Sequence, residues 1–162
     1  MTQKFEVLDK FKIFKALVEN QTGLKIQKLR SDNGGEYTSK AFEHFCEQHG
    51  IEHQKSTPYT PQQNGVAERK NRTLFESARC MLEHKALSKA FWAEAINTAT
   101  YVLNRAPTSA VEGKTPEEVW TGKKPSVQHL RIFGCNAYTH IPDEKRTKLD
   151  PKSKKCIFLG YV

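Results

Sequence analysis

Residues 30–37 read RSDNGGEY, and residues 62–72 read QQNGVAERKNR. The first stretch closes a short strand candidate, LKIQKLR (24–30), which ends at Ser31-Asp32 before Asn33-Gly34-Gly35 turns the chain. Ligands of open parallel sheets sit beyond the carboxyl ends of the strands. Asp32 stands at such an end, and Gly34-Gly35 leave room for a substrate backbone to come close. The blander reading is a turn Asp that satisfies its own backbone, and for Asp32 taken alone it is the commoner one. The second stretch puts Glu68 in the first turn of a long helix, just after a glycine-ended loop. A helix dipole alone would favour an acid there. Thirty-five residues separate the two acids.

Outward from these stretches the apolar spacing supplies the elements. Val7, Phe11, Phe14 and Val18 share one face of a helix over about 4–20, and Gly23 stops it. Ala41, Phe42, Phe45 and Cys46 mark a second helix over 39–49, capped by Gly50, and IEHQKST (51–57) is a shorter strand. After the loop PYTPQQNG (58–65), Ala67, Asn71, Leu74, Ala78 and Met81 define one face of a helix reaching about residue 84. Ser88 opens another helix, which runs through Trp92, Ala95, Ala99 and Val102 and stops before Pro107. The order helix–strand–helix–strand–helix–helix is an α/β arrangement. Thr115-Pro116-Glu117-Glu118 fits a capping box with proline at the first helical position. Two strands are expected in LRIFGCNAYTHI (130–141) and KCIFLGYV (155–162).

The chain has 162 residues, 37% of them apolar and 27% charged, as in an ordinary globular protein. No apolar run approaches the ~18 residues a membrane span requires, and the N-terminus lacks the pattern of a signal peptide, so an intracellular protein without a membrane partner is expected. The formal charge of +8 favours a polyanionic partner, nucleic acid above all. Cys46, Cys80, Cys135 and Cys156 form no CxxC pair and read as free buried thiols. Cys46, His49 and His53 have possible zinc spacings, but nothing completes four ligands. Around Glu68 stand Arg69, Lys70 and Arg72, and Arg72 falls one helical turn beyond Glu68 on the same face, placed to meet a phosphate. A charge run is usually only a solvated face; here its position beside an acid favours DNA contact. The connection DEKRTKLDPKSKK (143–155) reads first as a solvated hairpin loop, with a DNA-binding turn or nuclear-import signal as alternatives.

Taken together, RSDNGGEY, PYTPQQNGVAERKNRT, WAEAINTATYVLNRAP (92–107), GKTPEEVWTGKKP (113–125), LRIFGCNAY (130–138) and LDPKSKKCIFLGY (149–161) resemble the integrase core of copia-type LTR retrotransposons, within the retroviral-integrase and DDE-transposase group. The resemblance runs through essentially the whole chain. It implies an RNase H-like fold and the pattern Asp, Asp, 35 residues, Glu, in which Asp32 and Glu68 match the second and third acids. It also implies that Tyr59 and Asn64, in the preceding loop, contact the DNA end near the cleaved bond. The implied activity is DNA integration by strand transfer. That chemistry must activate a nucleophilic oxygen and stabilise a leaving one, which two Mg²⁺ (or Mn²⁺) ions held by carboxylates do from opposite sides of the phosphorus. Asp32 and Glu68 are thus the expected catalytic and metal-binding residues, and Tyr59, Asn64, Arg69, Lys70 and Arg72 the nucleic-acid-binding ones. DNA is the expected partner, with homo-oligomers as in the family, no small-molecule substrate, and nuclear localisation if the chain is functional.

Nothing before residue 32 resembles the apolar strand ending in Asp that carries the family's first acid; Glu6 and Asp9 ride on an amphipathic helix. The expected fold is therefore a partial integrase catalytic core over 1–107 that lacks its first three strands. A truncated C-terminal extension over 108–162, with a short helix and a β-hairpin, follows it. Two readings compete: a core fragment that is catalytically incomplete alone, and a non-catalytic nucleic-acid-binding or protein-interaction relic. An RNase H-type nuclease would share the metals but leaves the GGEY and PYTPQQNGVAER strings unexplained.

Overall fold

A computed structural model describes residues 6–57 and 64–161. The elements are α1 (Val7–Thr22), β1 (Lys28–Ser31), α2 (Lys40–Gln48), β2 (Glu52–Lys55), α3 (Gly65–His84), α4 (Trp92–Arg105), α5 (Pro116–Thr121), β3 (Asn136–His140) and β4 (Ser153–Ile157). A 3₁₀ turn over Lys89–Phe91 precedes α4, and it is this turn, not α4 itself, that Ser88 caps. The chain divides into two compact units, residues 1–69 and 70–162.

In the first unit β1 and β2 run parallel, with Leu29 opposite His53 and Ser31 opposite Lys55. Alternation along the strands gives the pair two unlike faces. On the outer face Lys28 pairs with Glu52 at 3.0 Å and Arg30 donates to Gln54 at 3.0 Å. The inner face meets α2, whose Phe42 and Cys46 are buried together with Ile51. Val7, Leu8, Phe11, Ile26, Leu29 and Tyr37 pack around them. Ser39 accepts the Phe42 N–H and so fixes the start of α2. Glu19 ties the far end of α1 to the strand lead: it accepts from Lys15 at 2.7 Å and from the Ile26 N–H at 3.0 Å. Gly23 then ends α1 in the left-handed region at φ 69°.

The expected apolar face of α1 is only partly used. Val7 and Phe11 join the core, but Phe14 is 54% exposed, and Ile13 and Leu17 are exposed too. The ring contacts of α1 run from Phe11 to Phe42 and Phe45 of α2, a helix of only nine residues against the sixteen of α1. Phe42, fully buried and stacked on Phe11 with ring centroids 5.5 Å apart, anchors what core there is. Phe42→Ala is expected to cost about 3–5 kcal/mol. Chemical unfolding of the variant beside the parent measures it, and a loss below 1 kcal/mol, roughly that of an exposed site, would contradict the packing.

The second unit is built on α3 and α4. Ala78, Leu82, Ala95 and Phe133 form its core, with Met81, Leu87, Phe91, Ile96 and Leu159 against them. Thr115 accepts the Glu118 N–H with Pro116 at the first helical position, so α5 starts where its sequence signals it. The hairpin β3–β4 is antiparallel, and both strands are shorter than the sequence suggested. Residues before β3 are drawn into a turn by Phe133, which is buried, and by Gly134 at φ 76°. The thiols also depart from expectation: all four are free, but only Cys46 is buried and Cys80 is exposed.

Candidate active site

Because β1 and β2 are parallel, their carboxyl ends share one edge, and Asp32 follows β1 directly on that edge. Its side chain is exposed, and Oδ1 accepts the Gly34 N–H at 3.0 Å, the local turn that Asp favours. The turn is then locked behind it, since the Gly34 carbonyl accepts the N–H groups of Tyr37 at 2.9 Å and Thr38 at 3.2 Å. This winding brings Glu36 back under Gly34. A Cβ added at Gly34 would lie 2.8 Å from the Glu36 carboxyl group and 3.0 Å from Asp32 Oδ1. The Glu36 carboxyl group therefore occupies the space a side chain at residue 34 would need, and it comes near Asp32 only because residue 34 is glycine.

Tyr37 records the charge gathered there. Its phenol is pushed above its ordinary pKa, first by burial and then by the negative charges of Asp32 and Glu36. Its ring meets Phe42 edge-on at 5.6 Å, so the site rests directly on the unit's core. In the sequence Tyr37 carries no site signal, and Glu36 stands only as an acid beside the glycine turn that could take the role of the family's first acid. Only the turn shows that Glu36 folds back toward Asp32.

Glu68 occupies the first turn of α3, as expected, and is exposed. Residues 66–73 of this helix are all exposed, so Ala67 and Asn71 face no core; burial begins at Leu74 and is complete only at Ala78. Arg69, Lys70 and Arg72 lie on this exposed half, and Asn64 stands half-buried immediately before the helix. Tyr59 lies outside the described residues. Among the described residues no three His, Cys, Asp or Glu side chains gather into a group able to hold a metal ion. Glu68 therefore does not complete a trio with Asp32 and Glu36 in this arrangement.

The donors nevertheless suit a hard divalent cation. Carboxylate oxygens are what Mg²⁺ prefers, and the bare position at Gly34 lets the Glu36 carboxyl group approach Asp32. Gly34→Ala tests this. The carboxyl group it would push is the end of a flexible side chain, so the melting temperature should hardly move. Mn²⁺ affinity should fall roughly tenfold, as when the shell around a metal ligand is disturbed. Unchanged Mn²⁺ affinity in a titration would show that the cradle holds nothing.

The integrase core domain family matches residues 6–61, and the retroviral polymerase SH3-like domain family matches residues 135–162. The chain is 55% identical, over 98% of its length, to the retrovirus-related Pol polyprotein from transposon TNT 1-94 of Nicotiana tabacum, and spans 12% of that polyprotein. Among solved structures it resembles the catalytic core domain of BIV integrase, with 25% identity, a TM-score of 0.52, and coverage of 75% of this chain and 74% of that one. It also resembles the HTLV-2 integrase catalytic core domain in complex with magnesium, in its dimeric form. There the identity is 22%, the TM-score 0.53, and the coverage 74% of this chain and 70% of that one. The fold is thus that of retroviral integrase catalytic cores, the RNase H-like class, with two two-stranded sheets among the described residues. Residues 6–61 thus belong to the integrase core domain family, and the chain as a whole is similar to a segment of the retrovirus-related Pol polyproteins of transposons.

Proposed function

We propose that this chain forms part of a retrotransposon integrase catalytic core and serves DNA integration by metal-dependent strand transfer. The observation that carries this reading is Asp32 at the carboxyl edge of a parallel strand pair, beside a glycine whose Cβ would strike two carboxylates. Asp32 and Glu68 would hold Mg²⁺ or Mn²⁺, which when bound supplies positive charge to a reacting phosphodiester. The HTLV-2 neighbour, itself in complex with magnesium, supports that choice of ion. Arg69, Lys70 and Arg72, with Tyr59 and Asn64 ahead of them in the sequence, would hold DNA phosphates. A core over 1–107, an extension over 108–162, assembly into homo-oligomers and work in the nucleus belong to the same reading.

A second reading, a nucleic-acid-binding relic without catalysis, draws support from the lack of a third acid in the cluster among the described residues. Mn²⁺ titration separates the two. The parent chain should bind Mn²⁺, and Asp32→Asn and Glu68→Gln should each weaken binding at least about tenfold. Retention of parent affinity by both variants would remove the metal site and leave the relic.

A further inference from the structure

Beneath Asp32 runs a hydrogen-bonded chain that involves none of the acids. Ser31, only 6% exposed, donates its hydroxyl to the Asp32 carbonyl oxygen at 2.8 Å. The same Oγ lies 2.8 Å from Nε2 of His53, which reaches across from β2. A serine hydroxyl has one proton. With that proton on the Asp32 carbonyl, Oγ must accept from His53, so the imidazole carries its proton on Nε2. Its other nitrogen, Nδ1, is buried and has no hydrogen-bond partner among the described residues. A proton there would sit against apolar surroundings: the ring lies 5.5 Å from that of fully buried Phe42. The charged groups acting on His53 are Lys55 on its own strand and Glu43 on α2, and these two are paired with each other. Burial, the larger influence, also disfavours the charged ring.

A second tie runs parallel to the first. Asn33 Nδ2 donates to the Ser56 carbonyl at 2.7 Å, and the Ser56 N–H donates to the Ser31 carbonyl at 2.9 Å. Residues 31 and 33, on either side of Asp32, are therefore both fastened to the β2 segment, and Asp32 is the exposed residue between two anchored ones. Backbone pairing alone would hold residue 31. The His53–Ser31 link adds control over the Asp32 carbonyl, and hence over the peptide plane from which the carboxylate projects.

We propose that His53, as the Nε2–H tautomer, is a positioning residue: by donating to Ser31 it directs the Ser31 hydroxyl onto the Asp32 carbonyl and sets the Asp32 carboxylate toward its ligand. This rests on the reading of Asp32 as a metal-binding acid. In that role His53 touches neither metal nor substrate, and what it requires is a donor at the reach of Nε2.

The test uses the 162-residue chain and three variants, His53→Gln, His53→Leu and Ser31→Ala. Glutamine offers an N–H at similar reach; leucine fills the space without a donor. Nitrogen-15 correlation spectra of the histidine rings should show the His53 proton on Nε2, and a proton on Nδ1 would overturn the proposal. Mn²⁺ affinity should fall roughly tenfold in His53→Leu and Ser31→Ala and stay within about twofold of the parent in His53→Gln. A merely structural role would instead lower the melting temperature of both His53 variants with no rescue by glutamine, and that result would overturn it. Should His53→Leu fail to fold, Ser31→Ala and the tautomer decide the matter. If the parent binds no Mn²⁺, the functional reading falls. The positioning link is then judged by the tautomer and by exchange of the Gly34 amide, which should quicken in Ser31→Ala and, if unchanged, refutes it.

Discussion

Strand transfer of a retroelement-end oligonucleotide by the 162-residue polypeptide alone is expected at background, in Mg²⁺ and in Mn²⁺. The reaction moves a phosphoryl group between two oxygens, and both must be served at once. On the proposed reading Asp32 and Glu68 serve them, and no third acid joins Asp32 and Glu36 to make a metal-holding group among the described residues. Groups that act as a unit do not fail by halves: losing one commonly costs nearly as much as losing all, so the expected deficit is on the order of 10³-fold or more. The assay should include a longer polypeptide that adds an acid-bearing strand segment before residue 1. That version should transfer strands and lose the activity on Asp32→Asn or Glu68→Gln. Turnover by the 162-residue polypeptide, abolished by Glu68→Gln, would overturn the prediction. It would then point to Glu36, already beside Asp32 at the glycine turn, as the third acid.

DNA affinity should fall steeply with salt and show little sequence preference. The chain carries +8 formal charge, and Arg69, Lys70 and Arg72 sit on a helical half with no buried residue. Each cation that meets a phosphate releases condensed counterions, and the slope of log affinity against log salt reports their number. Replacing all three by glutamine should reduce that slope by about 3 and weaken binding by roughly 10²-fold near 0.1 M salt. Glu68→Gln should leave the slope unchanged, since a phosphate-binding cluster does not depend on the neighbouring acid. An unchanged slope in the triple variant would mean that the basic helix face is only solvated, and that DNA, if bound, is held by other cations such as those of residues 143–155.

The sequence by itself determined the parts governed by neighbours along the chain. Gly23 ends α1 because only glycine takes the left-handed region at no steric cost, and Thr115-Pro116 opens α5 because its side chain satisfies a helix-end amide. The order of the first six elements followed from the same kind of signal, and so did Asp32 at a strand end and Glu68 at a helix start. Tertiary structure decided what each face meets. The spacing of Phe14 matches that of Phe11, yet Phe11 packs on Phe42 and Phe45 of α2 while Phe14 is exposed. Likewise Ala67 and Ala78 share a helical stripe, and only Ala78 has a neighbour to bury it. Periodicity tells which residues point the same way; it carries no information on whether anything stands opposite. The approach of Glu36 to Asp32 depends on how one turn is wound, and the His53–Ser31 hydrogen bond joins residues twenty-two positions apart. Such contacts are set by strand register and packing, which no local pattern of residues specifies.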